Sequence, residues 1–131
     1  MPMDFQPILR REVTFVGRTN SHMMPHVLIV DDDPVVLKAL VRTLENTYTC
    51  MTARNGVEAV RRLNRAGDGF PDLIISDVDM PFMSGIELYR WINTVHPNES
   101  HKVVFYTGSS GAKLADLGVP ILRKGRDLKE I

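Results

Sequence analysis

At 131 residues, with 44% apolar and 24% charged side chains, the chain has the length and composition of one globular domain that buries a core without disulfides or structural metal. A formal net charge of zero excludes the basic footprint of a nucleic-acid or anionic-membrane binder, and the apolar runs fall well short of the roughly 20 residues a membrane span needs. The single cysteine, Cys50, falls in a predicted strand and reads as a buried reduced thiol, which points to a reducing cytoplasm.

Residues 1–24 differ from the rest and read as an N-terminal extension ahead of a domain at 25–131. They carry no secretory pattern. Ser21-His22-Met23 before Met24 suits either a cloning remnant or a native extension. Phe5, Ile8, Leu9, Phe15 and Val16 fall loosely on one helical face, while Val13 to Val16 would equally suit a strand. His22, His26, His96 and His101 show no ligand spacing with cysteines and read as surface or loop residues.

From His26 onward strands and helices alternate, the signature of βαβ units, a parallel sheet and helices on both faces. A first strand, His26 to Val30, precedes a helix opened by Pro34, with Val35, Leu37, Leu40, Val41 and Leu44 as its apolar face. A second strand, about Tyr48 to Ala53, leads to Asn55 as the cap of a helix with Val57, Val60 and Leu63 inward and an end near Gly67. The third strand is Asp72 to Ser76. A loop with Pro81 and Gly85 follows, then a helix burying Ile86, Leu88, Tyr89 and Ile92 that stops before Pro97. Lys102 to Tyr106 forms the fourth strand and Val119 to Leu122 the fifth. The segments around Ala112 to Leu117 and Arg126 to Ile131 have room for only a turn or two of helix each.

Each apolar run ends in a polar residue: Asp31-Asp32-Asp33 after the first strand, Asp77 after the third, Thr107 after the fourth and Lys124 after the fifth. Open α/β sheets place ligands beyond the carboxyl ends of their strands, so these groups are expected to converge. Asp31, Asp32 and Asp77 suit Mg2+, a hard cation held by one or two carboxylates plus a phosphate. Asp77, after the central strand and before a proline-containing loop, is the expected nucleophile for an aspartyl phosphate. Lys124 would neutralise phosphoryl charge, Thr107 would donate its hydroxyl, and Gly108 would leave the approach open.

The stretches Val27-Leu28-Ile29-Val30-Asp31-Asp32-Asp33-Pro34 and Pro71-Asp72-Leu73-Ile74-Ile75-Ser76-Asp77-Val78-Asp79-Met80-Pro81-Phe82-Met83-Ser84-Gly85, with Thr107-Gly108 and Lys124, resemble the receiver domain of two-component response regulators. The resemblance covers about residues 26–131. It implies a doubly wound, five-stranded parallel α/β fold of flavodoxin type, and a signalling phosphoacceptor that takes its phosphoryl group from a sensor histidine kinase or phosphotransfer domain. By position it makes Asp77 the phosphoacceptor, Asp31 and Asp32 the acidic pair at Mg2+, Thr107 the switch hydroxyl, Lys124 the phosphate contact, and Asp79 the residue whose main-chain carbonyl meets the metal. Such a domain acts on itself rather than as a turnover enzyme, and signals to a downstream protein without contacting nucleic acid or membrane.

Two departures concern output. Lys124-Gly125 stands where the family usually has Lys-Pro, and Ile121 where it has a switch aromatic, so the ring movement that accompanies the hydroxyl is not expected here. With the last two helices short, the chain suits a receiver that passes phosphate on, either a single-domain regulator or one cut from a longer chain such as a hybrid kinase. Two alternatives remain: a receiver-like interaction module that is not phosphorylated, disfavoured by the full acidic set, and a haloacid-dehalogenase-type phosphatase. Asp77-Val78-Asp79 suits the phosphatase, but Pro81 and an acidic pair upstream rather than downstream do not.

Overall fold

The runs at 27–30, 73–75 and 103–106 are apolar on both faces, so these strands can be satisfied only between two layers of helix. The computed structural model describes residues 24–65, 69–108 and 114–124. Strands β1 (His26–Val30), β2 (Thr49–Ala53), β3 (Leu73–Ser76), β4 (Val103–Thr107) and β5 (Ile121–Arg123) form one parallel sheet in the order β2-β1-β3-β4-β5. The expected five-stranded doubly wound fold is the fold found. The order reverses between β1 and β3, which makes that seam the topological switch point where a ligand crevice belongs.

Helix α1 (Pro34–Leu44) packs Leu37, Leu40 and Leu44 on one face of the sheet, against a core that includes Val27, Ile29 and Ile75. Helices α2 (Gly56–Arg65) and α3 (Gly85–Val95) pack Ala59, Leu63, Leu88 and Ile92 on the other, against Leu28, Val30, Ile74 and Phe105. Adjacent strand residues thus enter opposite cores, as the two-residue period of a strand demands. Each helix start has a side-chain acceptor. Asp33 accepts the Val35 N–H at 2.9 Å, Asn55 accepts that of Glu58 at 2.8 Å, and Ser84 and Glu87 form a reciprocal capping box.

Several sequence expectations shift. Tyr48 ends a turn instead of starting β2, its N–H bonding Leu44 O at 2.8 Å. Lys102 belongs to a 3-10 helix over Pro97–Lys102 rather than to β4. The last strand begins at Ile121, not Val119: Pro120 has no N–H to give a ladder, and only its carbonyl is used, by Phe105 N–H. Val35 lies on the solvent side of α1 at 73% exposure, because the helix turns its inward stripe through Leu37, Leu40 and Leu44. His96 is no plain surface residue. It caps α3, half-buried, with its ring 5.2 Å from Phe70 and 5.3 Å from Trp91. His26 opens β1, and its N–H is held by the Asp72 carboxylate at 2.8 Å. Cys50 is a free, half-buried thiol in β2, pushed up from its ordinary pKa by burial and by the charge of Glu45.

The fourth connection contains a 3-10 turn, Ala115–Leu117. The N-terminal extension up to residue 23, the expected helix end near Gly67, Gly125 and the expected terminal helix lie outside the described residues. No helix among the described residues is long and apolar enough to cross a membrane.

The capping box is local to α3 and touches no strand. Ser84→Ala is therefore expected to cost about 1 kcal/mol of stability, seen as a lower urea midpoint with an unchanged slope.

Candidate functional site

The last rungs of the sheet set the site. Asp31 N–H bonds Ala53 O at 3.1 Å and Asp77 N–H bonds Val30 O at 2.8 Å, so both acids leave adjacent strands at the switch point, held by backbone. Asp31 is 1% exposed and Asp77 6%, whereas Asp32 faces solvent; oxygen atoms of the three lie within 4.8 Å of one another. One oxygen of each buried acid is tied back locally: Asp31 Oδ1 accepts the Asp33 N–H and Asp77 Oδ1 accepts the Val78 N–H, both at 2.8 Å.

The compensating cation arrives from the far side of the sheet. Lys124 follows β5, and its N–H bonds Thr107 O at 3.0 Å. Its Nζ lies 2.8 Å from Asp31 Oδ2 and 3.2 Å from Asp77 Oδ2, and 5.6 Å from the centroid of the buried Tyr106 ring, a cation–π distance. Two largely buried carboxylates thus share one ammonium. Burial raises the Asp77 carboxyl above its ordinary pKa and the charge of Asp31 adds to the rise; Lys124 and the Val78 N–H oppose it without cancelling it. For Lys124, burial works against the charged form, but the contacts and charges of Asp31 and Asp77 outweigh it and hold the ammonium above its usual range.

The donor set fits a hard divalent cation. It consists of oxygens alone, drawn from three carboxylates that lie within reach of one point. Of the residues expected from sequence, Asp31, Asp32, Asp77 and Lys124 are brought together, and Thr107 sits buried on the same edge. Asp79 lies on the exposed loop two residues beyond Asp77, and its side chain is not part of the acidic group. Gly108 is not forced by packing: a Cβ there would meet only Lys124 Cβ, at 4.0 Å.

Gly85 is the position whose importance the sequence did not disclose. A Cβ on it would fall 2.1 Å from Asp77 O, and its N–H bonds Val78 O at 2.8 Å. The start of α3 is packed directly on the backbone of Asp77, a contact only glycine permits. Ser76 also closes on this point, its hydroxyl donating to Asp77 O at 2.8 Å.

Residues 27–119 match the family described as response regulator receiver domain. The chain is 44% identical over 78 residues to the transcriptional regulatory protein GlrR of Escherichia coli K12, covering 59% of this chain and 17% of that protein. It is 34% identical over 106 residues to the sensor kinase CckA of Brucella abortus, covering 80% of this chain and 11% of that protein. The chain therefore spans only a small fraction of these relatives. Among solved structures, chemotaxis response regulator CheY4 of Vibrio cholerae superposes with a TM-score of 0.70 at 28% identity, covering 82% of this chain and 92% of that one. A response regulator receiver protein from Pseudomonas putida gives 0.69 at 28% identity, covering 81% and 90%.

Gly85→Ala must displace the Asp77 carbonyl or the start of α3. It is expected to destabilise by about 1–3 kcal/mol in urea unfolding, the range of overpacking, and to perturb Asp77 amide resonances before those of β2. Because the Asp77 pKa is raised on folding, the native chain binds that proton more tightly than the unfolded chain does. Stability therefore falls as pH rises through the ordinary carboxylate range to the raised value, and the loss persists above it. Asp77→Asn is expected to raise the melting temperature of the metal-free protein at pH 7 and to flatten this part of its pH profile.

Proposed function

The chain belongs to the response regulator receiver domain family, and from that membership we propose that Asp77 accepts a phosphoryl group from the phosphohistidine of a sensor kinase or phosphotransfer domain. The observation that carries the reading is the meeting of Asp31, Asp77 and Lys124 at the switch point, from the ends of three strands. The receiver unit is taken as residues 25–131, with 1–24 as an extension, and the setting as cytoplasmic.

In this reading a carboxylate oxygen of Asp77 attacks phosphorus. The new O–P bond forms as the P–N bond to the donor imidazole breaks, and the imidazole leaves with that electron pair and takes up a proton. Asp31 and Asp32, with Asp77 and the main-chain carbonyl of Asp79, would hold Mg2+. Bound there, the metal would offset negative charge on the phosphoryl oxygens. Lys124 contributes a point charge on a flexible stem. As its Asp77 partner becomes an acyl phosphate, the ammonium can follow the new negative charge while Asp31 keeps it anchored. Thr107 supplies a hydroxyl donor from the end of β4. The phosphoryl group brings about −1.5 to −2 charges to one point, and the domain signals to a downstream protein through whichever packing best satisfies them. Hydrolysis of the acyl phosphate resets Asp77, so the chemistry is a self-limited switch rather than turnover.

Incubation with Mg2+ and acetyl phosphate is expected to add the mass of one phosphoryl group to the intact protein, and chelation or Asp77→Asn to abolish the adduct. Lys124→Ala should slow its formation at least tenfold, about 1.4 kcal/mol of barrier. A folded wild-type protein that gains no Mg2+-dependent adduct, and whose fluorescence does not respond to beryllofluoride, would sink the reading.

A further inference from the structure

We propose that Phe82 is the aromatic anchor by which a phosphodonor protein docks beside Asp77, its ring entering an apolar socket edged by carboxylates on the donor. The inference rests on Asp77 being the acceptor. Phe82 has φ 70, the only positive φ outside glycine among the described residues, and the residue is 85% exposed. Left-handed backbone in a bulky residue is a strain and a solvated phenyl ring gives the fold no burial, so neither feature serves stability; glycine would remove both.

The loop that carries the ring is held at its backbone on both sides. Gly85 N–H bonds Val78 O and Met83 N–H bonds Pro81 O, each at 2.8 Å, while Met83 packs so tightly on Gly56 that a Cβ there would lie 2.8 Å from Met83 Cβ. Beside the ring a cleft of about 380 Å³ is lined by Arg54, Asn55, Val57, Glu58 and Arg61. Glu58 is engaged by Arg54 at 3.5 Å and by Arg62 at 3.7 Å, while Arg61 has no carboxylate partner among the described residues. The cleft beside the ring thus carries two arginines against one carboxylate and complements an acidic rim. Phe82 stands on the loop that leaves Asp77 and returns to its backbone at Gly85, so a protein that brings a phosphohistidine to that carboxylate approaches this loop, whereas a small donor need not. Rigid aromatic anchors next to arginines are the residues that carry binding energy at interfaces.

The test compares two donors on the full chain. One is acetyl phosphate. The other is the radiolabelled phosphohistidine domain that transfers fastest to the wild-type chain from a panel of purified kinase and phosphotransfer domains. Phe82→Gly is expected to match wild type within twofold with acetyl phosphate and to melt no lower, yet to receive phosphate from the protein donor at least tenfold more slowly at subsaturating concentration. Arg61→Glu should slow only the protein donor and weaken the salt dependence of its transfer. Wild-type transfer rates in Phe82→Gly overturn the proposal, as does an equal loss with both donors, or a panel in which no domain outpaces acetyl phosphate. Loss of self-association in sedimentation with transfer unchanged would assign the ring to a second copy of the chain and also overturn it. Failure of wild type with acetyl phosphate would instead count against Asp77 as acceptor.

Discussion

One ammonium shared by two buried carboxylates is the constraint around which this sheet edge is built. Asp31 and Asp77 are fixed by backbone bonds on adjacent strands and shielded from water, an arrangement that raises the cost of ionising both. Lys124 is the counter-charge, and it reaches them only because β5 pairs with β4 and the Lys124 N–H is caught by Thr107 O. The shortest strand of the sheet thus carries the group on which the central acids depend. Because the ammonium contacts both carboxylates at once, any charge added at Asp77 is felt immediately at Lys124 and Asp31.

A second constraint couples Asp77 to a helix. Gly85 lets the start of α3 rest on the Asp77 carbonyl, Ser84 and Glu87 fix that start, and Leu88 and Ile92 bury the same helix in the core shared with β3 and β4. The loop from Val78 to Ser84 is consequently short, tied at both ends, and able to present Phe82 outward at the cost of backbone strain. Movement of the Asp77 backbone has a direct mechanical path into α3. On the β5 side Ile121 is an aliphatic residue partly buried against the same core, so no ring is available there to swing behind Thr107.

Much of the fold and most of the site were legible in the chain. Runs such as Val27 to Val30 and Leu73 to Ile75 are apolar at every position, which only a strand covered on both faces tolerates, and Asp33, Asn55 and Ser84 carry helix-capping chemistry wherever they stand. Polar residues at the ends of such runs identified Asp31, Asp32, Asp77, Thr107 and Lys124. Element ends were less legible, because they depend on neighbours: Val119 and Pro120 look like strand yet precede it, and Lys102 is drawn into a 3-10 turn begun by Pro97.

Sequence by itself determined the strand count, the alternation of elements and the list of polar groups at the strand ends, since these follow from periodicity and side-chain chemistry within a few residues. Tertiary structure alone decided that Lys124 bridges Asp31 and Asp77, that Gly85 touches the Asp77 carbonyl, that His96 stands between Phe70 and Trp91, and that Phe82 projects into solvent. The Lys124 bridge is a meeting between strands set by the β2-β1-β3-β4-β5 order, while the Gly85 and His96 contacts depend on how α3 and its ends pack against β3 and the segment before it. Phe82 owes its direction to a loop clamped at both ends. Distance, burial and strain arise when separate segments are forced into contact, and no local pattern of residues encodes them.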